Sequence, residues 1–325
     1  MHDDADPRRN APKPAENRPA ARRWRRPALG AGALLAGALA LAGCGAAAAD
    51  GEPHVVATTN ILGDVTTELV GDAGRVTTLM KPNADPHSFE ISAREAAELA
   101  DADLLVSNGL GLEEGVEQHL DTAADAGAAR FVAGDRISVV DYTGDATGPD
   151  PHFWTDPARM VDVVDALEER LSEIDGIDAD AIAANADAYR AELAALDEEM
   201  TTAFSDIPAE RRALVTNHHV FGYLAERFDF EVVGAAIPGG TTLASPSAAD
   251  LEQLATAIRE TGVPAIFAES SQPDRLMQVL ASEAGVEVEV IELFTESLTD
   301  ADGGAPTYLT MMRANTERIS DGLTP

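Results

Sequence analysis

The tripeptide Asp-Pro-His occurs twice, at Asp85-Pro86-His87 and at Asp150-Pro151-His152. Proline fixes its own φ and drives the preceding aspartate out of the helical region, so each histidine is delivered from a stiff loop. His218 follows the strand-like run Ala213-Leu214-Val215-Thr216 and is also expected at the carboxyl end of a strand. Three imidazoles from three segments can ligate a transition metal, and a four-coordinate shell needs one more donor. Cys44 is the only cysteine, so that donor is expected to be a carboxylate. Glu296, in Phe294-Thr295-Glu296-Ser297-Leu298, offers one at the end of the last predicted strand. Around this set, Asp85 and Asp150 are placed either to orient the imidazoles or to shape their turns. Glu269 ends a buried run and is expected behind the ligands, while His219 stands beside His218. His2, His54 and His119 read as surface residues.

These donors are far apart in the chain, so alternating strands and helices must bring them together. Residues 54–58 are a β-branched run, and residues 60–70 follow with Ile61, Val65 and Leu69 at helical spacing, closing at Gly71. Residues 75–80 predict a second strand, whose end delivers His87. Ser92 with Glu95 three residues on is a capping box that opens a helix to about residue 100. A strand over 103–107, a helix over 113–124 and one or two short strands over 131–140 complete the first half. Pro157 then starts a helix with Met160, Val163, Val164 and Leu167 on one face. Residues 180–204 predict an unbroken helix of about 25 residues, roughly 37 Å long, which reads as a spine joining two halves. The second half alternates strands over 213–216, 230–237, 265–269 and 286–294 with helices over 220–228, 247–260, 273–284 and 306–320.

The predicted fold is α/β, with two lobes, each a mainly parallel sheet flanked by helices, bridged by a long rigid helix. The boundaries expected are residues 54–178 for the N-terminal lobe, 179–206 for the linking helix and 211–325 for the C-terminal lobe. Ligands of such folds bind at the carboxyl ends of strands, here in the cleft between halves.

Composition limits what the cleft can serve. The formal net charge is -34, and residues 1–43 carry 8 Lys+Arg against 4 Asp+Glu, leaving 15 basic against 53 acidic residues beyond them. Such a surface repels a phosphate backbone, so nucleic acid is excluded as a partner. The acid reads as a solvated surface that keeps the protein soluble.

Residues 22–26 are Arg-Arg-Trp-Arg-Arg, and residues 28–43 are small and apolar without a charge. Sixteen residues are short for a membrane span, which needs ~20, and suit the apolar region of a signal peptide. The segment ends in Leu41-Ala42-Gly43-Cys44, which resembles the lipobox of bacterial lipoproteins, with Cys44 as the lipid-bearing residue. Residues 1–43 are therefore expected to be a signal peptide and 44–53 a short tether, placing the protein outside the cytoplasm on a lipid anchor.

In order along the chain stand Asp85-Pro86-His87-Ser88-Phe89-Glu90, Asp150-Pro151-His152-Phe153-Trp154-Thr155-Asp156-Pro157 and Thr216-Asn217-His218-His219-Val220-Phe221-Gly222-Tyr223-Leu224. Phe267-Ala268-Glu269-Ser270-Ser271, Phe294-Thr295-Glu296-Ser297-Leu298 and Tyr308-Leu309-Thr310-Met311-Met312 follow. Together, over about residues 53–323, the chain resembles the zinc- and manganese-binding lipoproteins of ABC importers, the TroA-like solute-binding proteins. The resemblance implies a metal held in the interlobe cleft by His87, His152, His218 and Glu296, with His219 as the one-residue alternative to His218. It also implies binding without catalysis and delivery to a membrane permease with its ATPase, by a monomer. Ile91 departs from the family, which often has proline after the first Phe-Glu.

Residues 141–149 contain no histidine, so the histidine-rich loop of many zinc-uptake members is absent. Three nitrogens and a carboxylate nonetheless suit tetrahedral zinc, while manganese favours more oxygen, so zinc is expected ahead of manganese. A zinc metallohydrolase is the alternative from another class, but no His-Glu-x-x-His or Gly-x-Ser-x-Gly occurs, and a fourth protein ligand would take the position water needs. A surface adhesin-type lipoprotein is the third reading.

Overall fold

The computed structural model of the protein describes residues 51–144 and 146–324. The segments expected to be the signal peptide, the lipobox with Cys44 and most of the tether, together with His2, lie outside the described residues. The first half is built on β1 (His54–Ala57), whose four residues are all buried because it sits inside a sheet. Its neighbours are β2 (Arg75–Thr78) and β3 (Leu104–Ser107), with β4 (Arg130–Val132) beyond β3, giving the order β2-β1-β3-β4. All three ladders are parallel, Val55 lying between Val76 and Leu104. Parallel neighbours require crossovers, supplied by α1 (Asn60–Val70), α2 (Ala93–Ala100) and α3 (Glu117–Asp125). The Ser92–Glu95 capping box forms at the start of α2, as its spacing predicts.

Three local readings of the first half are corrected. His54 is 6 % exposed, not a surface residue: its ring Nε2 lies 2.9 Å from Thr77 Oγ1, because the first residue of a central strand is covered by the next strand. His119 is exposed, as expected. Glu113 does not open α3. It is buried, its carboxylate accepting from the backbone N–H groups of Asn108 and Gly109 and from the Thr58 hydroxyl, so the helix starts four residues later. Residues 131–140 yield only the end of β4, followed by a tight 3-10 turn over Ala133–Arg136.

After α4 (Pro157–Leu171), capped by the Asp156 carboxylate with proline at its first position, comes α5 (Ala179–Ser205). Its 27 residues span about 40 Å. Ile182, Ala186, Tyr189, Leu193, Leu196, Met200 and Phe204 form one buried stripe along it, at spacings of three or four. This stripe packs on α1 and α4 of the first half and on α9 (Tyr308–Leu323) of the second, so a single hydrophobic core runs through both.

The second half contains β5 (Ala213–Thr216), α6 (Gly222–Phe228), β6 (Glu231–Ala235), α7 (Ala248–Thr261), β7 (Ala265–Glu269), α8 (Arg275–Ala284) and β8 (Glu289–Leu293). Its strands form two parallel pairs, β5 with β6 and β7 with β8. At the junction of the pairs the Asn217 side-chain oxygen accepts the Glu269 N–H at 2.9 Å, tying the ends of β5 and β7 together. No helix among the described residues is long and apolar enough to cross a membrane.

Candidate metal centre

His87, His218 and Glu296 follow the ends of β2, β5 and β8, His152 stands in the loop between β4 and α4, and each segment is fixed by hydrogen bonds of its own. The loop after β2 carries His87, whose backbone N–H donates to the Asp85 carboxylate at 2.9 Å. The same turn recurs at His152, whose N–H donates to Asp150 at 2.9 Å. Asp150 does more: its Oδ1 also takes the His152 ring Nδ1–H at 2.7 Å. That bond places the proton on Nδ1 and leaves the lone pair on Nε2. His218 follows β5, where the Thr216 hydroxyl donates to the His218 carbonyl. Its Nδ1 faces Glu269 Oε2 at 3.4 Å.

Glu296 sits in the segment after β8, which is held from several sides. Asn315 of α9 brackets Phe294 through both of its side-chain groups. Asn60 donates to Ser297 Oγ and accepts the Leu298 N–H, the Trp154 indole donates to the Thr295 carbonyl, and the Asn83 N–H donates to the Leu298 carbonyl.

The structure brings His87, His152, His218 and Glu296 together, with one ligand atom from each within 4.8 Å of all the others. All are buried: His152 and His218 are 0 % exposed, Glu296 1 % and His87 2 %. The three Nε2 atoms converge on one carboxylate oxygen, at 3.0 Å for His87, 3.0 Å for His152 and 2.9 Å for His218. The Nε2 atoms of His87 and His152 are 3.3 Å apart. A tetrahedron with metal–nitrogen bonds of about 2.0 Å has edges of about 3.3 Å, so this spacing suits such a shell. An Nε2 lone pair facing a carboxylate in a dry site is repulsive unless a proton or a metal cation lies between them.

The electrostatic surroundings favour positive charge here. Burial alone would push the His218 imidazole down, but the negative charges of Glu296 and Glu269 outweigh it and hold its pKa well above the ordinary value. At His152, burial likewise opposes charge, and Asp150 overrides it, raising the pKa. The two carboxylates are driven apart. Burial favours the neutral acid at both, yet the His218 and His87 rings pull Glu296 well below the usual range, while burial and the charge of Glu296 push Glu269 up.

The remaining expected residues take different places. Glu269 stands behind His218 and is not among the four converging donors. His219 points elsewhere, lining a neighbouring cavity of about 240 Å³ with Tyr142 and Asp150. Asp85 touches the backbone of its histidine, and its other oxygen faces the second half. Sequence reasoning missed Tyr142, whose hydroxyl lies 3.4 Å from His152 Nδ1, and Asn60, which pins the Glu296 segment. Only the position of Tyr142 in a loop leading to Asp150 could have flagged it.

The profile of the ZnuA family, described as the periplasmic component A of a zinc-uptake complex, matches residues 55–322. The chain belongs to that family. Among its ZnuA-family relatives is the zinc-binding protein TroA of Treponema pallidum, 31 % identical over 84 % of this chain and 89 % of that protein. The solved structure of the T. pallidum periplasmic zinc-binding protein TroA has a TM-score of 0.79, with 30 % identity over 85 % of this chain and all of TroA. The manganese-binding lipoprotein MntA of Halalkalibacterium halodurans is 28 % identical over 88 % of this chain and 95 % of its own length. As a ZnuA-family member the protein is a metal-importer substrate-binding protein, not an enzyme, and the metallohydrolase and adhesin readings are not favoured.

Proposed function

We propose that this protein captures a divalent transition metal, zinc ahead of manganese, with His87, His152, His218 and Glu296, and hands it to the permease and ATPase of an ABC importer. The convergence of three buried imidazole nitrogens on one carboxylate oxygen carries this reading. Asp150 and Glu269 support it from behind by orienting His152 and His218. The relatives do not select the metal, since their names include zinc, manganese and iron. The donor set supports zinc: three nitrogens and one carboxylate favour it, and the Irving-Williams order places zinc above manganese for such a site. The frame is the N-terminal lobe of residues 54–178, the linking helix over 179–206 and the C-terminal lobe of 211–325. The protein acts as a monomer outside the cytoplasm, anchored by lipid at Cys44.

Purified protein loaded in equimolar zinc and manganese, with bound metal counted by mass spectrometry, tests the assignment. One zinc per chain is expected, with loss of binding in His152→Ala and His218→Ala but not in His219→Ala. Manganese retained against equimolar zinc would overturn the choice of metal, and full binding by His218→Ala would overturn the ligand set. Release of Cys44→Ala from the membrane fraction is the matching test of the anchor.

A further inference from the structure

The two Asp-Pro-His copies are alike in sequence and unlike in use. Asp150 turns Oδ1 onto both the backbone and the ring of its histidine. Asp85 holds the backbone of His87 with Oδ1 and presents Oδ2 to the second half of the chain, where it accepts from the Thr242 hydroxyl at 2.6 Å and from the Gln272 side-chain amide at 3.1 Å. Thr242 lies in the segment 238–246, between β6 and α7. That segment starts beside His218, since the N–H groups of Ala236 and Ile237 donate to the carbonyls of Thr216 and Asn217. It then crosses to the first half. There the Tyr142 hydroxyl donates to the Gly240 carbonyl at 2.8 Å while standing 3.4 Å from His152 Nδ1. Gly239 turns the segment with φ +84°, and at Gly240 a Cβ would overlap the Tyr142 ring, so the close approach requires glycine.

We propose that residues 238–246 form a strap latched over the metal centre, with Tyr142 and Asp85 as the catches that set how fast bound metal is released. The proposal rests on the metal-binding reading above. The strap is rooted next to one donor histidine, and each catch touches another, Tyr142 beside His152 and Asp85 on His87. Position of the donors and closure of the strap are therefore mechanically linked. Each catch is a small number of hydrogen bonds with net worth modest enough to open thermally, as a release gate must. Asp85 is thus a positioning residue for closure, whereas Asp150 is one for an imidazole.

Stopped-flow mixing of zinc-loaded protein with excess chelator reads the release rate directly. Thr242→Val deletes a catch without touching any donor, and Tyr142→Phe deletes the other while keeping the ring. Each is expected to speed zinc release between about threefold and about tenfold, and the pair together more than either alone. The cobalt(II) absorption spectrum should be unchanged in Thr242→Val, and zinc should slow amide exchange over 238–246 in the wild type more than in the double variant. Wild-type release from Thr242→Val and from the double variant, at full zinc occupancy, would overturn the latch alone. An altered cobalt spectrum in Thr242→Val would assign its effect to the coordination shell and also overturn it. Wild-type protein that binds no zinc would overturn the metal reading, and the latch with it.

Discussion

Replacing Asp150 by alanine isolates the contribution of the residue behind His152. The Asp150 carboxylate is 1 % exposed and accepts two bonds from His152, at 2.9 Å from the backbone and 2.7 Å from Nδ1. The first fixes the loop, and the second fixes ring orientation and tautomer. Without it, His152 is free to carry its proton on Nε2, which removes the lone pair a metal needs. Loss of such an orienting partner costs ten- to a hundredfold in metal affinity, or roughly 1.4 to 2.7 kcal/mol. Asp150→Asn keeps an acceptor and loses the charge, so a smaller fall of about three- to tenfold is expected. Gly222→Ala provides an independent route, because a Cβ there would collide with Asp150 Oδ2 and displace the carboxylate without removing it. Competition titration against a chromophoric chelator at about pH 7.5 measures all three. Asp150→Ala binding zinc within twofold of wild type, in protein that melts normally, would refute the orienting role and the tautomer argument built on it.

Two further outcomes depend on pH. The folded pKa values of His152 and His218 are raised, so in metal-free protein their protonated forms add stability below the ordinary histidine pKa, and that contribution is lost as pH rises through the raised values. Bound metal needs the unprotonated rings. Zinc affinity and the zinc-induced rise in Tm should therefore both fall between about pH 7.5 and about pH 5, as followed by calorimetry; a constant shift across that window would contradict the assigned ligands. Away from the centre, burial lifts the pKa of Asp64 to about 6, against the pull of the Tyr308 N–H it accepts at 2.8 Å. A raised carboxylate pKa favours folding below its unfolded value, and this advantage is lost as pH rises to about 6. Asp64→Asn, which keeps the acceptor, should stabilise the protein by on the order of 1 to 3 kcal/mol at pH 7.5, by about half as much at pH 5 and by little at about pH 3.5 in urea unfolding, and equal effects across that range would sink the argument.

The order of strands and helices was legible because each rests on local chemistry: Ser92 with Glu95, Pro157 after Asp156, and the seven-residue stripe of α5. The convergence of His87, His152, His218 and Glu296 was legible in part: His87, His218 and Glu296 directly follow β2, β5 and β8, whereas His152 stands in a long loop after β4 and was marked only by its tripeptide. What sequence could not distinguish was the division of labour between Asp85 and Asp150. Identical tripeptides place the aspartate near its histidine, but only tertiary packing decides whether the second oxygen meets Thr242 or stays with the ring. Glu113 misled for a related reason. A glutamate ahead of a helical pattern reads as a helix start, whereas three donors converging from Thr58, Asn108 and Gly109 gave it a buried place.

The anchoring of the Glu296 segment divides the four donors unevenly. Asn60, Asn83 and Trp154 all come from residues before α5, and they grip Thr295, Ser297 and Leu298 on either side of the glutamate. Glu296 is encoded with the second half but fastened to the first. A displacement of β5 and β6 that breaks their tie to β7 would therefore carry off His218 alone and leave three donors standing. Metal would lose one bond at the outset of release rather than two, and the protein would keep an open three-donor seat ready for the next ion.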